Sequence, residues 1–264
     1  MEEKKSCPTA ESFLKNELKK HSGLKDVRFV LAVGSGKGGV GKTTVSALLG
    51  LALRDAGYSV GIFDLDFYGP NINLVLGIKN KKPIIEFGKI KPVLGAENIK
   101  LVSLALMVSE KEPIFMRGLL ATKLLQELVQ KVEWGPVDFL ILDLPPGTGD
   151  IFLTMLDIFV PEGFILVTTS HKLALADAKR TVAILKENKI PILGVIKNMA
   201  DFFEDEGSFN QFLEEQRLSL LFELPVLKEL SYKENLQEVT VLPERQNLLK
   251  DLGDKILDRV FRIH

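Results

Sequence analysis

Six short apolar runs, rich in β-branched residues, recur along the chain and constrain its fold more than any other feature. They are VRFVLAV, SVGIFDLD, IKLVSLAL, VDFLILDLP, GFILVTTS and PILGVIKN. Strands of this length with almost unbroken hydrophobicity are buried on both faces, as in a parallel sheet covered by helices. Helical segments such as KTTVSALLGLALRDAG separate the runs. The alternation predicts an α/β fold, a doubly wound and mainly parallel sheet with helices on both faces.

The domain organisation follows from the position of these runs. Residues 1–24 contain the charged segment AESFLKNELKK before a glycine break, and we predict an N-terminal helical arm there. Residues 25–264 are predicted to form one domain. Within it, the Gly- and Pro-rich segment 82–98 predicts a hairpin or an irregular connection. The segment ERQNLLKDLGDKILDRVFRIH predicts an amphipathic helix that packs on the sheet, with membrane attachment as the alternative.

Composition narrows the range of partners. The 34 Lys and Arg residues balance 35 Asp and Glu residues, so no overall positive field draws the chain to nucleic acid or to an anionic membrane. Cys7 is the single cysteine, which excludes an intramolecular disulfide and a multi-cysteine metal site within one chain. The N-terminus has no apolar core of signal-peptide length. We therefore expect a cytoplasmic protein.

The segment GSGKGGVGKTT carries a phosphate-binding motif. Gly36, Gly41, Lys42 and Thr43 satisfy G-x-x-x-x-G-K-[ST], after the run FVLAV and at the start of a helical segment, which is the context that the motif requires. Glycine lets backbone N–H groups surround the phosphates at a helix N-terminus. Lys42 is expected to bridge the β- and γ-phosphates, and the Thr43 hydroxyl to bind Mg²⁺. The predicted nucleotide-binding residues of this loop are Gly36, Gly38, Gly39, Val40, Gly41, Lys42, Thr43 and Thr44.

Carboxylates follow two of the apolar runs, where ligands of such sheets bind. Asp143 comes after four apolar residues and matches an acid that holds the hydration shell of Mg²⁺, with a strand-end cap as the alternative. Asp66 is predicted to be the catalytic carboxylate that orients the attacking water. Asp64 lies nearer the sheet and serves the metal or braces the loop. The predicted magnesium ligands, partly through water, are Thr43, Asp64 and Asp143.

The loop KGGVGKTT resembles the deviant Walker A motif of the MinD/ParA/NifH-like P-loop ATPases. That resemblance implies a homodimer across the nucleotide, in which Lys37 reaches the phosphates of the partner and acts as an arginine finger does. A solvated lysine is the alternative for Lys37. Together with Lys42 and Asp66, Lys37 completes the predicted catalytic set. The resemblance also implies ATP as the nucleotide, and no guanine-reading N-K-x-D element occurs.

Further segments are similar to the Mrp/ApbC branch, the iron-sulfur cluster carrier ATPases. They include DLDFYGPNI, FMRG at 115–118, LDLPPGTGD, VTTSHKLALADAKR and PILGVIKNM. The resemblance implies a slow, Mg²⁺-dependent ATPase linked to iron-sulfur cluster assembly or transfer. It also implies that Gly147 lies in the switch segment that senses the γ-phosphate and that Asn198 hydrogen-bonds the adenine, although Asn198 could instead be a turn residue.

The chain departs from this branch at the cluster site. Members typically have Cys-x-x-Cys after the NM element, whereas this sequence reads KNMADFFEDEGSFNQFLEEQ. Clusters are normally held by four thiolates, and a homodimer offers only two copies of Cys7. The acidic residues at 204–206 are expected to be solvated. The protein therefore acts through a cysteine-bearing partner or acceptor apoprotein, or it is a MinD/ParA-like positioning or regulatory ATPase without cluster cargo. A small-molecule kinase-like enzyme is a third hypothesis.

Overall fold

The computed structural model describes residues 23–67, 69–79, 81–95, 98–107, 119–203, 206–231, 233, 235–242 and 245–263. The predicted arm up to residue 22, Cys7, the segment FMRG and the acidic residues 204 and 205 lie outside these ranges. Leu24, at the end of the predicted arm, is buried in the core. Gly23 N–H donates a hydrogen bond to the carbonyl of Val129.

The strands follow the predicted apolar runs closely. They are β1 Val27–Gly34, β2 Val60–Asp64, β3 Ile84–Glu86, β4 Lys89–Lys91, β5 Val93–Leu94, β6 Lys100–Ser103, β7 Val137–Asp143, β8 Gly163–Thr168, β9 Ile192–Asn198 and β10 Leu220–Leu224. Eight of them form one sheet in the order β10-β9-β8-β1-β7-β2-β6-β5. Its pairs are parallel except for β5 with β6. The predicted mainly parallel sheet is confirmed.

The helices connect these strands. They are α1 Lys42–Asp55, α2 Ile72–Val75, α3 Leu104–Met107, α4 Leu119–Lys131, α5 Asp150–Phe159, α6 Lys172–Glu187, α7 Glu206–Gln216, α8 Leu236–Thr240 and α9 Gln246–Ile263, with a 3₁₀ turn at Lys228–Ser231. The run IKLVSLAL is divided between two elements, because β6 ends at Ser103 and α3 begins at Leu104. Only its first half is a strand.

Helices cover both faces of the sheet, as predicted for a doubly wound fold. One core cluster joins the sheet to α1, α2, α8 and α9. The other joins the opposite face to α4, α5, α6 and α7. Alternate residues of β1 divide between them: Leu31 and Val33 belong to the first cluster, and Val30 and Ala32 to the second. A strand buried on both faces explains why its sequence is apolar throughout.

The C-terminal helix α9 packs into the core, mainly against α1 and to a smaller extent on the sheet strands β9 and β10, whereas packing on the sheet was predicted. Its buried residues Leu249, Leu252, Ile256 and Val260 recur at helical spacing and belong to the core cluster that contains α1. Gly253 brings the backbone close to α1, since an added Cβ would lie 3.2 Å from the carbonyl oxygen of Ala52. Among the residues described above, each helix is too short or too polar to cross a lipid bilayer.

The segment 82–98, predicted to be a hairpin or an irregular connection, contains a hairpin. Strands β3 and β4 pair antiparallel. Phe87, which is fully exposed, and Gly88 form the turn between them, and both have positive φ. This hairpin lies outside the main sheet.

Candidate functional site

The phosphate loop connects β1 to α1 at the carboxyl edge of the sheet. Gly41, immediately before α1, has φ 83°, a conformation that residues with a Cβ rarely adopt. A Cβ added there would also lie 2.1 Å from Nδ2 of Asn198. Both the backbone conformation and the close approach therefore require glycine at the position where the motif has it.

Three side chains of α1 converge on the carboxylate of Asp143 at the end of β7. Lys42 Nζ lies 2.7 Å from Asp143 Oδ1 in a buried ion pair. The Thr43 hydroxyl donates to Oδ2 at 2.9 Å, and the Ser46 hydroxyl donates to Oδ1 at 2.7 Å. Removing one member of a buried ion pair typically costs about 3–5 kcal/mol, so this network fixes the start of α1 against the sheet.

Asp64 lies beside Asp143 on the neighbouring strand. The two residues are paired in register where β2 meets β7. Asp64 is fully buried and accepts hydrogen bonds from the Ser103 hydroxyl at 2.9 Å and from the Asp66 N–H at 3.2 Å. Burial raises the pKa of Asp64 to about 7, and the nearby Asp143 carboxylate adds to this shift. One of two adjacent carboxyls thus holds its proton near neutral pH.

The donor set at this edge fits magnesium. Mg²⁺ usually binds through one or two carboxylates together with water and substrate phosphates. Thr43, Asp64 and Asp143 supply one hydroxyl and two carboxyls there. Within the described ranges, no group of three or more His, Cys, Asp or Glu side chains could hold a metal ion without other ligands. A Mg²⁺ ion held by these two carboxyls and one hydroxyl would take its remaining ligands from water and nucleotide phosphates.

A cleft of about 210 Å³ opens above this network. It is lined by Ser35, Lys37, Gly38, Gly39, Gly41, Lys42, Thr43, Thr44, Asp66, Gly69, Asn71 and Pro146. Lys37 is exposed, and Asp66 is partly buried with its carboxylate accepting the Gly69 N–H at 3.2 Å. The cleft brings together all three residues of the predicted catalytic set, Lys37, Lys42 and Asp66.

Other predicted residues lie behind the loop. Asn198, at the end of β9, is buried, and its Nδ2 donates to the carbonyl of Val40 at 2.8 Å. It supports the loop in this arrangement, and its contact with adenine stays a prediction. Gly147 has φ 95°, and its N–H donates to the carbonyl of Ser35 at 3.0 Å. The segment proposed to sense the γ-phosphate is thus joined directly to the phosphate loop.

Two hydroxyl groups of the site were not predicted from the sequence. Ser46 follows Lys42 by four residues, so both side chains lie on one face of α1. Ser103 pairs in register with Asp64 at the end of β6. Helical spacing identifies the first of these residues. Ser103 could have been found only by predicting that the strand in IKLVSLAL ends at this serine.

A glycine-rich loop between a strand and a helix, with acidic residues at neighbouring strand ends of a mostly parallel sheet, defines a P-loop NTPase. The family profile described as a NUBPL iron-transfer P-loop NTPase, of the ParA type, matches residues 26–261. The chain belongs to this family.

Curated relatives support the resemblance to the Mrp/ApbC branch. The chain is 39% identical over 228 residues to the iron-sulfur cluster carrier protein of Aquifex aeolicus, covering 82% of this chain and 62% of that protein. It is 32% identical over 255 residues to the protein of the same name from Escherichia coli K12, covering 92% of this chain and 69% of the relative. The chain thus spans about two thirds of the length of these relatives. The predicted Mrp/ApbC-type family is confirmed.

Solved structures agree on the fold. A nucleotide-binding protein from Archaeoglobus fulgidus in complex with ADP is 30% identical, with a TM-score of 0.73, and the match covers 89% of this chain and 96% of that chain. The septum site-determining protein MinD from Pyrococcus horikoshii, complexed with Mg-ADP, is 23% identical with a TM-score of 0.70. The match covers 90% of this chain and 99% of that chain. The MinD-like P-loop NTPase fold predicted from the sequence is confirmed.

Proposed function

We propose that this chain is a Mg²⁺-dependent ATP-binding and ATP-hydrolysing protein, dimeric across the nucleotide, that acts in iron-sulfur cluster assembly or transfer. The observation that supports it most is the convergence of Lys42, Thr43 and Ser46 on Asp143 directly below the phosphate cleft. A lysine, a hydroxyl and a carboxylate in this arrangement are the parts that P-loop NTPases use to bind a nucleotide with its metal ion.

Each residue has a separate role in this proposal. Lys42 leaves Asp143 to bridge the β- and γ-phosphates, and the glycine-rich backbone donates its N–H groups to them. Thr43 and Asp143, with Asp64 beside them, would hold Mg²⁺, partly through water, and the bound ion would supply positive charge to the phosphates. Asp66, which lines the cleft, orients the attacking water.

Lys37 is assigned to the partner's nucleotide. Its side chain is exposed at the edge of the cleft, where a second copy of the chain could approach it. A cation supplied across an interface stabilises the charge that develops on the transferred phosphoryl group. Because that contact forms in the dimer, Lys37 is expected to affect turnover more than nucleotide binding.

Nucleotide binding and ADP release should be measured for the wild type, Lys42→Ala and Lys37→Ala in the presence of Mg²⁺. We expect Lys42→Ala to lose ATP binding or turnover. Lys37→Ala should retain binding while turnover falls by about 10³-fold, the effect of removing an arginine finger. Lys250→Ala, which changes an exposed lysine of α9, serves as the matched control. Full activity in both site variants would contradict the mechanism.

The iron-sulfur part of the proposal rests on the family and on its named carriers. The sequence has one cysteine, Cys7, so a cluster held by thiolates needs either the two Cys7 copies of a dimer with further ligands, or a cysteine-bearing partner. Iron and acid-labile sulfide should be measured in anaerobically reconstituted wild type and Cys7→Ser. A cluster present only in the wild type assigns Cys7 as a ligand. If neither protein contains iron, the cysteine ligands of the cluster must come from a partner.

A second candidate function is a MinD/ParA-like positioning or regulatory switch without cluster cargo. The missing Cys-x-x-Cys after Met199 is the observation that favours it. Co-sedimentation with liposomes and with DNA should then depend on ATP rather than ADP. Equal sedimentation with either nucleotide, or none on either surface, would remove the main variants of this alternative.

A further inference from the structure

A second cavity, of about 780 Å³, lies at the edge of the sheet opposite the phosphate loop. It is lined by Gly23, Lys25, Asp26, Lys89, Lys91, Pro92, Leu94, Lys100, Gln130, Val132, Glu133, Trp134 and Gly135. Part of this lining lies before β1, at the start of β6 and before β7, so the cavity opens at the amino ends of parallel strands. The rest comes from β4, β5 and the end of α4. The nucleotide cleft lies at the carboxyl ends of the parallel strands. The two sites are therefore separated by the length of the sheet.

The lining carries an excess of positive charge. Four lysines, Lys25, Lys89, Lys91 and Lys100, face two carboxylates, Asp26 and Glu133. Lys91 also pairs with Glu86, but both members of that pair are about half exposed, and such surface pairs contribute little. In a chain whose total charge is close to balance, this local excess favours an anion.

Lys100 is the most buried of these cations. Its Nζ donates to the carbonyls of Trp134 at 2.5 Å and Pro136 at 3.1 Å. An ammonium group has three donors, so these two bonds leave one for a ligand. Within the described residues, Lys100 forms no ion pair, and desolvation lowers its pKa. An anion in the cavity would offset that desolvation.

Trp134 lies directly behind the lining of the cavity. Its side chain is 1% exposed and packs against Phe63 in the core, while its carbonyl accepts the hydrogen bond from Lys100. Leu94, which is 52% exposed, and Pro92 supply apolar surface in the same lining. The cavity thus combines cations with apolar surface, as sites for small organic molecules do.

We propose that this cavity binds a small organic polyanion, a compound with two or more carboxylate or phosphate groups on a short carbon skeleton. Lys25, Lys89 and Lys100 bind its charged groups, and the apolar surface packs against the skeleton. A volume of 780 Å³ is within the usual range for small-molecule sites. This site is additional to the proposed ATPase function and does not depend on it.

Trp134 is the only tryptophan, so its emission reports on this cavity without interference from another indole. Emission should be recorded while citrate, and separately fructose 1,6-bisphosphate, is added to the nucleotide-free protein. We expect a saturable change that sodium chloride of equal ionic strength does not reproduce. A response to citrate alone or to the bisphosphate alone identifies carboxylate or phosphate as the preferred group. The Lys42→Ala variant should give the same titration, which separates this site from the phosphate loop.

Three variants test the assignment of the lysines. Lys100→Gln should weaken binding of the anion by about tenfold or more, the typical effect of losing one charge-assisted hydrogen bond. Lys25→Gln and Lys89→Gln, at exposed positions, should each weaken it by about two- to fivefold. Lys250→Gln should bind as the wild type. Lys25 and Lys89 are exposed, so their variants keep the test valid if Lys100→Gln does not fold. Emission that saturates with neither anion, or unchanged affinity in the Lys25 and Lys89 variants, would overturn the proposal.

Discussion

Asp64 and Asp143 are identical, fully buried side chains that have different partners. Both lie at strand ends in register, and both are fully buried, but Asp143 is paired with Lys42, whereas Asp64 accepts from Ser103 and from a backbone N–H. Burial raises the pKa of Asp64 to about 7, with Asp143 adding to the shift. One carboxyl of the proposed metal site therefore titrates close to neutral pH.

This pKa predicts a dependence of stability on pH. The folded-state pKa of about 7 exceeds the ordinary value of 3.8, so between these pH values the folded protein binds the Asp64 proton more tightly than the unfolded chain. The contribution of Asp64 to the free energy of unfolding therefore falls as pH rises through this window. Asparagine does not titrate, so Asp64→Asn removes this pH-dependent loss of stability. We expect the melting temperature of Asp64→Asn to rise relative to wild type from acid to neutral pH.

The melts should be recorded without nucleotide and with a chelator, because a bound cation would stabilise the charged carboxylate. Asp251→Asn, at an exposed position of α9, is the matched control and should follow the wild type at every pH. A constant difference between Asp64→Asn and wild type across the range would show that Asp64 does not titrate there.

Gly41 offers a second test at the residue scale. Alanine at this position meets an unfavourable φ of 83° and a contact 2.1 Å from the Asn198 amide, so the loop or Asn198 must move. Gly41→Ala should reduce ATP affinity by about tenfold or more while the far-ultraviolet circular dichroism stays unchanged, a loss of about 1.4 kcal/mol or more. Gly207→Ala, in helix α7 and with open space around an added Cβ, should bind as the wild type. Wild-type affinity in Gly41→Ala would contradict the loop geometry.

The motif in the sequence predicts residues that line the cleft, because a P-loop has a fixed local geometry. Lys37, Lys42 and Thr43 all line the cleft as expected. The role of Asn198 behind the loop could not be predicted in the same way. That role depends on the position of β9 beside β8 in the sheet, and strand order cannot be read from segments that are far apart in the sequence.

At the scale of elements, α9 distinguishes a packed helix from a membrane-binding one. Ile256 is fully buried against the α1 side of the core, whereas Ile263 in the last turn is 47% exposed. Ile256→Ala should lower the free energy of unfolding by about 2–5 kcal/mol, the range for buried large-to-small substitutions. Ile263→Ala should change it by no more than about 0.5 kcal/mol. Chemical denaturation measures both, and equal losses would mean that the helix is not packed as described.

Strand β10 was not among the predicted strands, and its position explains why. It lies at one edge of the sheet. Its buried residues are separated by exposed and partly buried ones, so it has no continuous buried run. Apolar runs identify strands that are buried on both faces, so an edge strand escapes this criterion. The opposite error occurs at α3, where apolar residues continue past the end of β6 although the chain turns into a helix. Burial, not conformation, is what an apolar run reports.

At the scale of the whole molecule, alternation of strands and helices predicts the layers but not the strand order. The central pairs β8 with β1, β1 with β7 and β7 with β2 join segments that are far apart in sequence. The cavity at the amino ends could not be predicted from the sequence for the same reason, because separate segments of the chain contribute its lysines. Its residues have no motif spacing, and only the folded arrangement of the sheet, the β3–β4 hairpin and α4 brings them together.

The most direct test of the account is Mg²⁺-dependent ADP release per protomer, measured over a wide range of protein concentration for the wild type and for Lys42→Ala. The account predicts that wild-type turnover per protomer rises with concentration and then levels off, because the active species is a dimer that shares Lys37. Lys42→Ala should stay at background throughout. Wild-type ADP release no greater than that of Lys42→Ala at every concentration would contradict the proposal that this chain is an ATPase.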